Sequence, residues 1–153
     1  MPKPESMRFY YKPDIFVLLI SIMSITLVGY LWGSAGSVSS ISFWVAMAVT
    51  LLMGWFIIKM PLYTYVDEDM IRVQQLVGNT TFRRSQVTLR RLTSRDLDGM
   101  IRSFGSGGVG GYIGFFQNAQ LGRFYMLAVS RNNLALVTTV DGKQFVIHFP
   151  PQN

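Results

Sequence analysis

The chain has 153 residues, half of them hydrophobic and only 14 % charged, against about 25 % charged in an ordinary soluble domain. A single histidine and no cysteine exclude disulfides, thiolate metal sites and any histidine-pair relay. The formal net charge is +6, but no Asp, Glu, Lys or Arg lies between Asp14 and Lys59. Two solvents are therefore implied, lipid for the first part of the chain and water for the second.

Residues 1–14 read as a short basic tail carrying Lys3, Arg8 and Lys12. Two uncharged runs follow, IFVLLISIMSITLVGYLW at 15–32 and ISFWVAMAVTLLMGWFII at 41–58. As helices each spans about 27 Å, close to the thickness of a bilayer core. The first run lacks a small-residue cleavage site and leads at once into the second, which argues against a signal peptide. The connector GSAGSVSS is short and uncharged, so the helices are expected to be antiparallel neighbours, a transmembrane hairpin over 15–60. Ser21, Ser24 and Gly29 are candidates to meet Ala46, Thr50 and Gly54, because small residues let helices approach closely. Lys3, Arg8, Lys12 and Lys59 all flank one end of the hairpin, and the connector has no counterpart. The positive-inside bias then places both termini in the cytoplasm. Tyr10, Tyr11, Tyr30, Trp32, Trp44 and Trp55 lie near the ends of the runs, where aromatic rings favour the headgroup zone.

From Pro61 the pattern changes to short runs separated by turn residues, and 61–153 reads as a mainly-β domain. Strands are expected at 62–66, 70–76, 80–85, 87–92, 123–129, 134–140 and 143–149. That makes about seven antiparallel strands in a small barrel or sandwich. The last three are expected to form a meander, with Asp141-Gly142 as a two-residue hairpin turn.

A glycine-rich insert at 94–122 interrupts this series. Gly105, Gly107 and Gly110 fit G-x-G-x-x-G, but no βαβ unit surrounds them and no acidic residue follows at the required distance. A dinucleotide fingerprint and a Walker loop are both excluded. Two readings remain. Consecutive amides around Gly105, Gly107, Gly108 and Gly110, helped by Arg102 and Arg123, offer an anion-binding nest. Alternatively the glycines serve turns alone. Phe104, Tyr112, Phe115 and Phe116 either fold back on the domain or dip toward the membrane surface. Arg83-Arg84 and Arg90-Arg91 are two basic pairs suited to an anionic leaflet or to a solvated strand face.

No catalytic set is evident. Asp67, Glu68, Asp69 and Asp141 occupy turn positions, and Asp96 and Asp98 have no nucleophile or base beside them. His148 is expected on a strand surface. The reading is non-catalytic, with no cofactor and no metal. The partners in view are the lipid bilayer, anionic lipid, a membrane protein or a second copy. Nucleic acid is disfavoured by the tether and by the lack of a recognised motif.

The run SFGSGGVGGYIGFFQNAQLGRFYMLAVSRNNLALVTTVDGKQFVI, with Gly122-Arg123-Phe124 and the Asp141-Gly142 turn, resembles the bacterial pleckstrin-homology-like (PH-like) domain family in its membrane-attached branch, over roughly residues 60–149. The resemblance implies a PH-like barrel of about seven strands behind two transmembrane helices, in the bacterial inner membrane. It implies binding of lipid headgroups or peptides and no enzymatic activity. Such barrels normally end in a helix that plugs one mouth. The chain stops at residues 150–153, so the plug is expected to be missing or to lie beyond this sequence.

Overall fold

The computed structural model describes residues 7–151, so Lys3 of the basic tail and the last two residues fall outside the described part. The first long element is α1 (Ile15–Ser34), started by Asp14, whose Oδ1 accepts from the Val17 amide at 2.9 Å. The second is α2 (Ile41–Ile58), started by Ser40, whose hydroxyl accepts from the Phe43 amide at 3.3 Å. A helix in a soluble core buries one stripe. Here only Val17 of α1 and Ala46 of α2 are buried, while Met23 stays 67 % exposed and Ile41 83 %. Both helices are long and apolar enough to cross a membrane, and their side chains face outward as lipid-facing residues would.

The expected contact face is half right. Trp32 Nε1 donates to Thr50 Oγ1 at 2.9 Å, and Ala46 is fully buried. Ser21 instead turns toward the β domain, and Gly29 and Gly54 face open space.

Among the described residues ten strands form two sheets. The first contains β1 (Met7–Tyr10), β2 (Pro61–Val66), β3 (Met70–Gln75) and β4 (Asn79–Arg83), in that order and antiparallel. Residues 7–10 of the tail are thus a strand, with Arg8 opposite Tyr65, which ties the entry of α1 to the exit of α2. The second sheet contains β5 (Val87–Leu92), β6 (Ile101–Gly107), β7 (Tyr112–Asn118), β8 (Gly122–Ala128), β9 (Leu134–Thr139) and β10 (Gln144–His148). Its order is β5-β9-β10-β8-β7-β6.

Several expectations are corrected. The described strands number ten, because the tail supplies one and the glycine-rich insert supplies two. The last three strands are not a meander: β10 inserts between β8 and β9 and runs parallel to β8, with Phe145 opposite Tyr125. The loop 129–133 crosses the end of β10 to make this possible. The Asp141-Gly142 turn has one left-handed residue, Gly142 at φ 78°, and closes through the Gly142 amide to the Thr139 carbonyl at 2.8 Å. It is therefore a longer loop than the two-residue form. No closed barrel forms among the described residues. A short 3-10 turn at 84–86 carries the chain from one sheet to the other, and an open cavity of about 620 Å³ lined by Arg83, Gln86 and Asp141 separates β4 from the ends of β5 and β9.

The two sheets stack face to face. Ile71, Val73 and Phe82 of the first pack on Ile113, Leu127, Val137 and Ile147 of the second. The opposite face of the six-stranded sheet has its own core of Tyr112, Phe116, Phe124, Met126, Leu136 and Val146. Leu97, from the segment after β5, and Val17, from the first turn of α1, cover that face. The start of α1 is therefore docked on the domain.

Candidate functional site at the junction of helices and sheet

The junction is built around the loop 129–133. The Asp14 amide donates to the Val129 carbonyl at 3.1 Å, so the residue that starts α1 also holds the crossover loop. From below, His148 at the end of β10 grips the same loop. Its Nε2 accepts from the Val129 amide at 3.0 Å, and its Nδ1 lies 3.1 Å from the Asn132 carbonyl. An amide must donate, so Nε2 is unprotonated and Nδ1 carries the hydrogen. The Phe149 amide adds a bond to the Asn133 carbonyl at 2.8 Å, and Asn133 is the one non-glycine described residue with positive φ, at 52°. The Tyr11 ring stacks on the imidazole with centroids 4.0 Å apart.

His148 was expected on a strand surface. It is fully buried, because the crossover loop roofs the end of its strand. Burial pulls its pKa down to about 4, with the Asn132 and Asn133 carbonyls and Asp14 opposing in part. It is a structural clasp, neutral at physiological pH.

The glycine-rich hairpin forms the second part of the junction. Gly105 and Gly114 sit opposite each other in β6 and β7, both with φ near 130°, and a Cβ on either would strike the other strand's backbone. This close pairing lets the hairpin tip reach the helices. Gly108 faces Ile20, where a Cβ would stand 2.6 Å from the Ile20 methyl. Ser21 donates to the Gly108 carbonyl and accepts from the Gly110 amide, both at 3.2 Å, and Gly110 also lies against the backbone of Phe56 in α2. Gly108 and Gly111 exchange backbone bonds across the tip. The amides of Gly108, Gly110 and Gly111 are thus all donated within the protein. The tip is level with the second turn of α1 and the last turn of α2.

Beside the tip lies an open groove of about 280 Å³ lined by Phe16, Met100, Arg102, Gly107, Tyr112, Phe116 and Arg131. Arg102 lies over Gly107, whose missing side chain leaves it room. Arg131 stacks on the Tyr112 ring, 5.3 Å from its centroid. The Tyr112 hydroxyl donates to Asp14 Oδ2 at 3.3 Å. Its pKa is raised, first by burial and then by the Asp14 carboxylate.

The sequence-marked residues scatter around this groove. Arg102 and Gly107 line it. Gly108 and Gly110 dock on the helices, and Gly105 lies within the strand pair. Arg123 belongs to the opposite face of the sheet, 4.7 Å over the Phe115 ring. There it lines a second cavity of about 530 Å³ with Tyr125, Lys143 and Phe145. The two basic pairs also separate. Arg83 and Arg84 sit where β4 ends, and the Arg84 amide bonds the Asp69 carbonyl at the turn remote from the helices. Arg90 pairs with Asp96, and Arg91 reaches the Pro150 carbonyl and the Phe149 ring. Asp96 is spent on its own turn, accepting from the Thr93 amide and hydroxyl, which holds its carboxyl below the usual range. Among the described residues no cluster of His, Asp or Glu suits a metal ion.

Sequence reasoning missed Arg131, Phe16 and Tyr112 as partners of Arg102. Arg131 lies in the turn-forming run Ser130-Arg131-Asn132-Asn133 and Phe16 is one apolar residue in a uniform run, so neither carries a local signal. Comparison with protein-family models, curated proteins and solved structures finds no match to this chain.

Proposed function

We propose that the chain is a membrane-anchored, non-catalytic binding module. In this reading the hairpin crosses the bacterial inner membrane twice, with both termini cytoplasmic, and the β domain is a variant of the PH-like fold with an open seam. It engages anionic lipid or a protein partner at the inner face. The observation that carries the reading is the docking of the β domain on the helix ends through Gly108, Ser21, Asp14 and Val17. Such a domain presents a fixed face to the headgroups. Lys59 over the Trp55 ring at 5.4 Å supplies a basic-aromatic anchor at the same level. The histidine is consumed in backbone bonds, which supports a role without chemistry.

An accessory subunit of a membrane transporter or protease complex is the second reading. It is favoured by the aromatic shelf on the opposite face, where Phe104, 73 % exposed, pairs with Phe115, and Phe115 shares a cavity with Tyr125 and Arg123. Purification of the full chain from membranes in mild detergent, with mass spectrometry of everything retained, separates the two. Retained anionic phospholipid without a stoichiometric protein supports the module. A stoichiometric transporter or protease supports the subunit. A full chain recovered as a monodisperse soluble particle without detergent refutes both.

A further inference from the structure

We propose that the groove between the first turn of α1 and the β6–β7 hairpin binds the headgroup phosphate of an anionic phospholipid, an inference that rests on the membrane-anchored reading and deepens it. The groove sits at the level a headgroup occupies. Phe16, on one wall, is the second residue of α1, and the hairpin tip meets α1 at Ile20, four residues or about 6 Å farther along the helix. The opening thus lies on the domain side of the tip, where the apolar helix begins.

Its chemistry matches a phosphate. Arg102 and Arg131 line it from different elements, the one in β6 and the other in the crossover loop, and both are exposed. Among the described residues neither belongs to an ion pair, Arg90–Asp96 being the one such pair. The acidic neighbour, Asp14, is already committed to the Val17 amide and the Tyr112 hydroxyl and does not line the groove. Arg131 lies over Tyr112 and Arg102 lies against Gly107, so both guanidiniums have a contact that directs them to the groove. The remaining wall is apolar, from Met100, Phe116 and Phe16.

The choice of lipid over free phosphate follows from what lies below. Phe16, Leu19 and Met23 recur at helical spacing and are all exposed, which gives acyl chains an apolar row to lie along on α1. At about 280 Å³ the groove falls short of the roughly 300–1,000 Å³ of small-molecule pockets, and it shares Phe16 with that row.

The test uses the full chain in nanodiscs of mixed phosphatidylglycerol and phosphatidylcholine, with native mass spectrometry of the lipid retained on the released protein. Wild type is expected to enrich phosphatidylglycerol. Arg102→Gln with Arg131→Gln is expected to cut that enrichment roughly tenfold or more, since each charge beside an anionic leaflet contributes to binding. Arg102→Lys with Arg131→Lys is expected to restore most of it. Arg83→Gln with Arg84→Gln, at the remote turn, is expected to leave it unchanged. Thermal melts of each variant establish that the fold is intact. Equal enrichment in wild type and the groove variant removes this site while leaving the module reading standing. Equal loss in the remote variant also removes it, by showing diffuse attraction. Binding of inorganic phosphate that the groove variant abolishes, with no lipid preference in wild type, overturns the lipid assignment. A wild-type protein that is not membrane-embedded overturns the module reading itself.

Discussion

The two ends of the β domain follow different rules. At the end that meets the helices, charged and polar groups are buried, paired and shared between elements: Asp14, His148, Tyr112 and Ser21 each link parts of the chain far apart in sequence. At the remote end side chains of the same types mostly serve their own turns or stay exposed. The Glu68 amide donates to Asp67 Oδ1 at 2.8 Å, the Asp141-Gly142 loop bonds itself, and the Arg83 and Arg84 side chains are exposed, with one long bond from Arg84 to the Asp67 carbonyl. A polar group that joins distant elements is expensive to lose, because its partners are left buried and unbonded. One that caps a turn is replaceable by water. The junction should therefore carry the stability and orientation of the domain, and the remote end should be free to vary.

Removing the clasp gives the largest expected effect. His148→Ala leaves a cavity and strands both the Val129 amide and the Asn132 carbonyl, a loss of about 4 kcal/mol. Chemical and thermal denaturation of the full chain in detergent micelles measures it. A loss below about 1 kcal/mol breaks the comparison, since the junction would then be no more demanding than a turn. Acid should act through the same residue. The folded pKa of about 4 lies below the ordinary 6.5, so the unfolded chain takes up a proton that the folded chain refuses. The stability His148 contributes is complete above about pH 6.5 and falls as the pH drops toward 4, by up to about 3 kcal/mol. Carboxylates titrate in the lower part of that window, so the informative quantity is the difference between wild type and His148→Ala. If the two pH profiles are parallel, the imidazole is not the proton acceptor.

The same contrast explains what the sequence made legible. The apolar helices and the first four strands of the domain follow from runs, turns and an abrupt change in charge, all of which are local patterns. The glycine segment looked like an insert because neither helical nor alternating periodicity marks it. Gly105 stands out in the sequence as part of a nest or turn run and Gly114 not at all, yet they are paired within a ladder, and only the partner strand reveals why neither can carry a side chain. The β8–β10 parallel pairing was hidden for a similar reason: a five-residue loop between two strands suggests neighbours, and nothing local in 129–133 announces that a third strand will enter between them. His148 alternates correctly along β10, but its burial depends on the loop that crosses above it. In the groove, Arg102 was visible as a charge beside glycines. Arg131 and Phe16 were not, since their proximity to Arg102 is a product of the crossover and of helix docking. The sequence-level reading succeeded where structure is written in neighbours and failed where it is written in crossings.

Docking of the hairpin tip on α1 should be weaker than the clasp and separable from it. Gly108→Ala places a methyl where the Ile20 side chain now lies, without a positive-φ penalty, and overpacking of this kind costs about 1–2 kcal/mol. Ile20→Ala in the same chain makes room for that methyl. The double variant should therefore recover part of the loss, with a coupling of about 1 kcal/mol in a double-mutant cycle. Strict additivity of the two substitutions would mean that the tip is not seated on the helix.

The smallest effect is expected at the remote turn, and it is the more demanding check because it predicts almost nothing. Arg83 and Arg84 are both exposed, and among the described residues the one side-chain bond they make is from Arg84 Nη1 to the Asp67 carbonyl at 3.5 Å, the long limit for such a bond. The Arg84 amide, which does hold the Asp69 carbonyl at 2.9 Å, survives any change of side chain. Arg83→Gln with Arg84→Gln should shift the unfolding free energy by less than about 0.5 kcal/mol, within the range of ordinary surface substitutions. A larger loss would mean that the open seam beside Arg83 is closed by charge, with Asp141 across the same cavity as the partner that the turn-only account denies it. Asp141→Asn would then reproduce the loss, and a double-mutant cycle between Arg83 and Asp141 would show coupling where independent turns require none.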